Sequence, residues 1–377
     1  MLRVAVVGSG AREHAYRHVL ARTAEVVADP AAADLVVVGP EQPLVDGLAD
    51  SLRAEGSLVF GPGADGAQLE GSKAWMKDVL DAAGVPTARH ASFSQGQTDG
   101  LADFLTGLRG AAVKTDYLAA GKGVFCSTDK DALLDDALAK VQHGGVVIEE
   151  LLDGPELSVF AVCNGKDFVL LPEARDHKRV GDGDTGPNTG GMGAFSPVAG
   201  TSHAVAAASE MVANTLAELQ RRGIDYRGVL FAGLMLTSDG PKMLEYNVRL
   251  GDPEAQVVLP RLTSDAAELF RAAAAGDPLP QPEAATDAGV TVVAACEGYP
   301  TNPRFGDVVT GIEEAEAVEG VTVFRAGITD DNRTSGGRVL SVTALAPTLA
   351  EARERAYEAI THISFPGMHY RKDIGSS

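Results

Sequence analysis

Three cysteines, Cys126, Cys163 and Cys296, are spread over 377 residues with no Cys-x-x-Cys pair. That spacing supplies neither a disulfide framework nor a zinc site, and it fits a reducing cytoplasm. Aromatic residues make up 5% of the chain, with a single tryptophan. No apolar run approaches the roughly 18 residues of a membrane-spanning helix, and the stretch Val4 to Val7 is too short for a secretory signal. Basic residues are outnumbered 32 to 52, a net charge of −20, which argues against nucleic acid or an anionic membrane as the main partner. Small anions remain admissible, because a local basic cluster or a helix N-terminus is enough to bind them.

What the chain has in excess is glycine. Forty-three glycines are about 11% of the residues, against a usual value near 7%. With only 19 prolines the excess points to backbone lying close to ligands, not to low complexity. A hydrophobic fraction of 45% with 22% charged residues is that of a soluble globular protein. At about 150 residues per domain, the length predicts two to three domains.

The pattern along the chain is α/β and then α+β. Leu2 to Val7 reads as a buried strand, followed by Gly8-Ser9-Gly10 and a helix from about Glu13 to Arg22. A strand at Leu35 to Val38, a helix from about Leu44 to Ala54 and a short strand at Leu58 to Phe60 complete a small parallel sheet. An amphipathic helix, Ser72 to Ala83, has Ser72 as N-cap. Strands at Ala112 to Thr115, Val124 to Ser127, Val146 to Glu150 and Leu157 to Cys163 surround a helix near Lys130 to Lys140. A long helix (His203 to Arg222) and two strands (Val229 to Leu236, Lys242 to Val248) follow. Beyond a Pro278 to Pro282 linker, strands at Val290 to Cys296, Val321 to Ala326 and Gly337 to Ala344 and a helix at Leu349 to Ile360 form a last unit.

Four segments carry chemistry. Gly8-x-Gly10-x-x-Glu13 opens a helix after a strand, but glutamate replaces the third glycine of the dinucleotide fingerprint. The readings left are a tight structural turn or an anion site at the helix N-terminus, with Arg12 and His14 beside it. Leu118 to Val124 holds Gly121, Lys122 and Gly123 between two strands; lacking Ser or Thr after the lysine it is no Walker A loop, though such a loop can close over phosphates. Glu245, Asn247 and Arg249 alternate along one strand and so share a face. Carboxylate and amide oxygens suit magnesium, and a neighbouring arginine suits an anion. Asp252-Pro253-Glu254 adds two more acids there. The stretch from Asp176-His177-Lys178-Arg179 to Gly186-Pro187-Asn188-Thr189-Gly190-Gly191-Met192-Gly193 fails as an EF-hand and reads as glycine-lined backbone around a polyfunctional ligand.

Together these segments resemble the glycinamide ribonucleotide synthetase family, ATP-grasp enzymes of purine biosynthesis. The matching pieces run in order: Gly8 to Ala15, Val38 to Leu44, Gln68 to Lys73, Leu118 to Val124, Val147 to Gly154, Asp176 to Val180, Gly186 to Pro197, Glu245 to Glu254, Gly336 to Val339 and Arg371 to Gly375. The resemblance implies an N-terminal Rossmann-like (pre-ATP-grasp) domain over residues 1–70, shortened here. It implies an ATP-grasp core of two lobes over 71–280, the small lobe at about 88–152, and a C-terminal domain over 285–377. It implies ATP and Mg²⁺ or Mn²⁺ as cofactors, small-molecule substrates, no nucleic acid or membrane partner, a monomer or weak dimer, and a cytoplasmic location.

Carried over by position, Lys73 and Lys114 correspond to the lysines that reach the nucleotide phosphates, and the loop with Gly121, Lys122 and Gly123 closes over them. Glu149, Glu150 and Leu152 correspond to the adenine hinge, and Glu156 to the acid on the ribose. Glu245 and Asn247 match the metal ligands, and Arg249 the group that neutralises an acyl intermediate. Asp176, Lys178, Gly190, Gly191, Met192 and Gly193 match the region around the amine substrate, with Gly8, Gly10, Arg12, Glu13, Asp252, Pro253 and Glu254. The implied chemistry is attack of the glycine carboxylate on the γ-phosphoryl of ATP, then displacement of phosphate by the amine of phosphoribosylamine.

Three departures locate where this chain differs. Between Arg22 and Asp34 an Ala-rich connection replaces the second strand and the Pro-Gly-Asn-x-Gly-Thr turn of the family, which predicts an incomplete acceptor pocket. Thr115-Asp116-Tyr117 stands where the family has Ala-Asp-Gly before the loop. The segment before Val146 is shortened, and Phe324-Arg325-Ala326-Gly327-Ile328 replaces a His-Ala-Gly-Thr pattern. The alternatives to the purine ligase are a paralogue coupling another amino acid or amine by the same chemistry, and a non-catalytic nucleotide-binding relative.

Overall fold

In this computed structural model, which describes residues 1–118 and 123–376, the chain builds four sheets and a projecting hairpin. The first sheet is parallel. Strands β1 (Arg3–Val7), β2 (Glu25–Val27), β3 (Leu35–Val38) and β4 (Val59–Phe60) lie in the order β2-β1-β3-β4. Their apolar runs, such as Leu35 to Val38, are buried on both faces, as expected where helices cover a parallel sheet. Those helices are α1 (Ala11–Leu20), α2 (Glu41–Val45), α3 (Leu48–Ala54) and α4 (Ala64–Gly71). The single helix read from Leu44 to Ala54 is two, interrupted at Gly47. The second strand expected to be missing is present: Glu25, Val26 and Val27 pair with Arg3, Val4 and Ala5. What the chain lacks after it is a turn of any length, because a one-turn helix at Pro30–Ala32 leads directly to β3.

Helix α5 (Lys73–Ala82) begins the central region, its N-terminus capped by Ser72 Oγ accepting from Trp75 N at 3.1 Å. The small lobe follows: β5 (His90–Phe93), α6 (Leu101–Thr106), β6 (Ala111–Thr115), β7 (Val124–Ser127), α7 (Lys130–Val141) and β8 (Val146–Glu150), an antiparallel sheet in the order β5-β8-β6-β7. It has a core of its own, with Val113, Leu133, Ala137 and Ile148 fully buried. The large lobe is built on β9 (Glu156–Asn164), β10 (Phe168–Leu170) and, later in the chain, α8 (Ser202–Arg221), β15 (Arg227–Thr237) and β16 (Gly240–Asn247), in the order β10-β9-β15-β16. Between β10 and α8 lie β11 (Arg175–Asp176), the hairpin of β12 (Arg179–Gly181) and β13 (Thr185–Asn188), and β14 (Gly193–Ser196). Helix α8 buries Ala204, Ala208, Met211, Val212, Thr215, Leu216 and Leu219, spaced by three and four residues along one stripe.

The chain then passes through α9 (Ala255–Val258) and α10 (Ala266–Ala275) into β17 (Ala288–Ala295), α11 (Ile312–Glu316), β18 (Val321–Arg325), β19 (Arg338–Ala346) and α12 (Leu349–Ile360). The last helix has the bounds its periodicity predicts, and Thr348 and Glu351 form a reciprocal capping box at its start. The C-terminal sheet runs β11-β14-β17-β19-β18, so two strands from the glycine-rich segment belong to it. Segments near residues 176 and 193 are thereby fixed to the C-terminal strands.

The N-terminal helix α1 also packs on this last unit. His14, expected beside an anion, turns to β18: its Nδ1 accepts the Arg325 amide at 2.9 Å, and its ring meets Phe324 edge-on at 5.5 Å. Burial, aided by His18, Arg325 and Arg17, lowers its pKa from 6.5 to about 4. A group whose folded pKa is depressed contributes stability above its unfolded pKa, and that contribution is lost as the pH falls from 6.5 towards 4. His14→Gln, which keeps an acceptor but does not titrate, is therefore expected to flatten the fall in Tm over that window by a few degrees relative to the parent chain. Parallel Tm profiles for the two proteins would contradict it.

Candidate active site

A cavity of about 450 Å³ opens where the small lobe, the large lobe, the N-terminal unit and β19 meet. Strand β16 forms its floor. Period-two geometry turns Glu245 and Asn247 towards the cavity, whereas the Tyr246 hydroxyl bonds to Thr215 Oγ1 on α8 at 2.9 Å, on the opposite face. Neither Glu245 nor Asn247 makes a side-chain hydrogen bond to the described residues. Burial alone would raise the Glu245 pKa; Lys178, Lys114, Lys73 and Arg249 outweigh it and hold the carboxyl below its ordinary range. An ionised carboxylate and a free amide oxygen two residues apart fit a hard divalent cation that completes its shell with water and phosphate oxygens. They leave no complete protein cage, and no cluster of three or more His, Cys, Asp or Glu side chains suited to a metal occurs among the described residues.

The small-lobe wall is cationic and carefully held. Lys114 on β6 points inward, and its Nζ lies 2.8 Å from Glu149 Oε1. Glu149 Oε2 is 3.0 Å from Lys77 Nζ on α5. Lys77, which is 1% exposed, donates to Thr87 Oγ1 at 2.6 Å, and Thr87 Oγ1 donates to the Met243 carbonyl on β16 at 2.7 Å. A continuous polar chain thus joins Lys114 to the strand that carries Glu245. Burial drops the Lys77 pKa to about 8 against the pull of Glu149. Glu149, matched by resemblance to the adenine hinge, is 1% exposed and spends both oxygens on lysines. The next residues are more open: Glu150 pairs with Lys242 at 3.1 Å, and Leu151 and Leu152 line the cavity edge. Lys73, at the start of α5, also lines it, as do Gly123 and Cys126. Gly121 and Lys122 lie outside the described residues.

The opposite wall comes from the glycine-rich segment and the C-terminal unit. Lys178 Nζ pairs with Glu156. Asp176 is pushed up by burial and further by Glu254 and Glu156, with Lys178 opposing. Glu254 accepts from Ser158 Oγ at 3.2 Å. Asn188, Thr189 and Gly190 line the cavity, and Arg338 gathers this wall, donating to the carbonyls of Gly190 at 2.8 Å and Asp252 at 2.6 Å and to Asp252 Oδ2 at 2.9 Å. Pro253 packs against Gly191, where an added Cβ would sit 2.4 Å from the proline Cδ. Met192 and Gly193 do not line the cavity: Met192 is fully buried, and Gly193 pairs with Val292 in the C-terminal sheet.

The N-terminal wall departs most from the sequence reading. Gly8, Gly10 and Glu13 do not line the cavity. The Glu13 carboxylate folds back onto the Gly10 amide at 2.6 Å, and a Cβ on Gly8 would lie 2.7 Å from Glu13 Cγ. The turn is filled by its own carboxylate, so the Gly10 amide is already used and the Glu13 charge stands where an anion would bind at the start of α1. Arg12 does reach the cavity. It contacts Glu13 at 2.7 Å and Glu41 at 3.8 Å. Glu41 and Glu70 in turn hold Arg249, at 3.1 and 2.5 Å. Burial lifts the Glu70 pKa to about 7, and Glu41 falls to about 2 where Arg249 and Arg12 overcome its burial.

Sequence reading therefore missed Lys77, Glu41, Glu70 and Arg338. Lys77 had a signal: it falls among Met76, Val79 and Leu80, all buried, so a charged residue occupies the apolar stripe of α5. Arg338, Glu41 and Glu70 lie inside motifs that matched without a role being drawn from them.

Family profiles agree with this arrangement. Phosphoribosylglycinamide synthetase N domain matches residues 23–70, its ATP-grasp (A) domain 71–255 and its C domain 289–377. The phosphoribosylamine–glycine ligase of Brucella melitensis is 43% identical over 426 residues, covering 99% of this chain and 97% of that protein. The Mycobacterium leprae enzyme of the same name is 43% identical over 420 residues, covering 100% and 98%. Both alignments are longer than the 377 residues here, so the chain is shortened internally. The crystal structure of the Thermotoga maritima phosphoribosylamine–glycine ligase superposes with a TM-score of 0.86 at 34% identity, covering 99% of this chain and 100% of that one. Three domain matches in chain order, relatives aligned over nearly the whole chain and a cavity between the lobes converge: the chain belongs to the phosphoribosylglycinamide synthetase family of ATP-grasp ligases.

Proposed function

We propose that this chain joins glycine to 5-phosphoribosylamine at the expense of ATP, giving glycinamide ribonucleotide, ADP and phosphate, with glycyl phosphate as intermediate. It is an ATP-grasp carbon–nitrogen ligase of purine biosynthesis. The observation that carries the assignment of roles is the floor strand β16. Its two free oxygen donors, Glu245 and Asn247, lie beneath walls that bring Lys73, Lys114, Lys178 and Arg249 to one place.

In this reading Glu245 and Asn247 would hold the divalent cation, Mg²⁺ or Mn²⁺, which when bound would offset charge on the phosphates. Lys73 and Lys114 take the nucleotide phosphates, and the edge from Glu150 to Leu152 takes the adenine. Glu156 serves the ribose and exchanges its Lys178 partner for it. The glycine carboxylate attacks the γ-phosphorus in line with the leaving ADP oxygen; a carboxylate oxygen becomes bonded to phosphorus and ADP departs. The amine of phosphoribosylamine then adds to the acyl carbon, the C–O bond to phosphate breaks, and the amine gives up a proton as the amide forms. Lys178 and Arg249 would neutralise and orient the acyl phosphate. Catalysis rests on positioning and charge, since no protein nucleophile faces the cavity in a Ser-His or Cys-His pair among the described residues.

The acceptor lies between Arg12, Asp252 and the Gly190 wall, where Arg12 offers the N-terminal unit's charge in place of the filled Gly8 to Glu13 turn. The working substrates are small molecules. The net charge of −20 and the lack, among the described residues, of a helix long and apolar enough to cross a membrane are consistent with the proposed cytoplasmic setting.

ADP release with ATP, Mg²⁺ and glycine should require phosphoribosylamine, and Asn247→Ala should raise the Mg²⁺ needed for half-maximal rate by about 10- to 100-fold. Release with another amine but none with phosphoribosylamine would overturn the acceptor, and an unchanged Mg²⁺ requirement the metal site. Lys77→Met leaves one carboxylate, Glu149, to neutralise Lys114 completely. The KM for ATP is then expected to rise about tenfold, roughly 1.4 kcal/mol, with the glycine KM unmoved. An unaltered ATP KM would show that Lys77 has no part in holding Lys114.

A further inference from the structure

The motif Arg371-Lys372-Asp373-Ile374-Gly375 has no place in the mechanism above, yet Arg371 is the largest fully buried side chain among the described residues, at 1% exposure. A buried guanidinium persists only if its donors are met. Its Nε and Nη2 hold the two oxygens of Asp373 at 2.7 and 2.5 Å. Its Nη1 reaches out of the tail, donating to the Arg179 carbonyl at 3.1 Å and to Asp184 Oδ1 at 2.7 Å. Asp373 Oδ2 also accepts the Gly183 amide at 2.8 Å, and Asp182 Oδ1 accepts the Lys372 amide at 2.7 Å. Every one of these partners outside the tail lies between Arg179 and Asp184, in β12 and the tip of the hairpin. The tail is itself tied to α12, where the Tyr357 hydroxyl donates to the Arg371 carbonyl at 2.7 Å and accepts the Ile374 amide at 3.1 Å.

The hairpin needs such a tie. Strand β13 is exposed along its whole length and is Thr-Gly-Pro-Asn in sequence, so no apolar face seats it. Its two ends nevertheless enter the cavity. Lys178 precedes β12, and Asn188 to Gly190 end β13 and continue into the cavity wall. They are cross-linked at the base, where Thr189 N and Oγ1 both donate to the Lys178 carbonyl, at 2.7 and 2.8 Å.

We propose that the C-terminal tail is a latch and Arg371 a positioning residue. By pinning the β12–β13 hairpin from its outer end, it fixes Lys178 and Thr189 at the cavity wall. Asp184, whose side chain is 68% exposed, is the outer contact of the same latch. The role of Lys178 in catalysis rests on the proposed function; the latch itself does not.

The test uses the full chain and four variants, Arg371→Met, Arg371→Lys, Asp184→Asn and the Arg371→Met/Asp184→Asn double variant, read by amide hydrogen exchange and by steady-state kinetics. Exchange over residues 179–188 is expected to quicken by at least about tenfold in Arg371→Met, with protection elsewhere kept. The kcat should fall by between about tenfold and a hundredfold, because a displacement of the order of an ångström suffices, while the KM for ATP stays within about twofold because β8 is untouched. The double variant should be no worse than Arg371→Met alone. Arg371→Lys, which keeps the charge but not the fork, should fall between parent and Arg371→Met. Unchanged exchange in the hairpin, or loss of protection throughout the chain, would overturn the latch. If Arg371→Met does not fold, Asp184→Asn decides: faster hairpin exchange supports the latch and unchanged exchange sinks it. Faster hairpin exchange with an unchanged kcat would overturn the positioning role. The exchange arm needs no substrate, so it stands apart from the identity of the amine.

Discussion

One buried carboxylate, Glu149, stands between two lysines, and the small-lobe end of the cavity is organised around it. A lysine as buried as Lys77 or Lys114 is costly in isolation. Glu149 offsets both, yet the trio keeps a net positive charge facing Glu245 across the cavity. Through Thr87 the same group is tied to the Met243 carbonyl, two residues before Glu245 on β16. Small lobe, helix α5 and floor strand are thus held in one register by polar contacts at this end of the cavity.

The remaining acids follow the same logic. Glu41 and Glu70 hold Arg249, Asp252 holds Arg338, and Glu156 rests on Lys178. Each fixes a cation whose charge still reaches the cavity. The cavity lining itself holds nine acids and six bases, so in a chain of net charge −20 an anionic substrate is met by individually fixed cations and not by a net positive field. It also clarifies Arg249, which is already doubly paired. What it presents to the cavity is a pre-oriented guanidinium and not a free charge.

Much of this was legible in the sequence. Long apolar strands such as β9, β15 and β17, and helices with a clear stripe such as α8 and α12, emerge within a few residues of their bounds. Strand β2 did not, because three residues, Glu25–Val27, carry too little pattern to register, and its pairing comes from the neighbouring strand. Hairpin β12–β13 was invisible as structure for a related reason: Thr185–Asn188 has no apolar alternation, and its support arrives from Arg371, some 190 positions away. That Glu245 and Asn247 face the cavity together was readable from period two on β16. The filling of the Gly8 turn by Glu13 was not, since a glutamate three residues on can cap the helix or leave the turn open, and only the fold decides.

The account's central claim is that an acyl phosphate forms on this framework without a protein nucleophile. It is tested most directly by following oxygen. With ATP, Mg²⁺, phosphoribosylamine and glycine labelled with ¹⁸O in its carboxylate, the account predicts one labelled oxygen in each inorganic phosphate released, because the attacking carboxylate oxygen leaves with phosphorus. Phosphate carrying no label from glycine would contradict it.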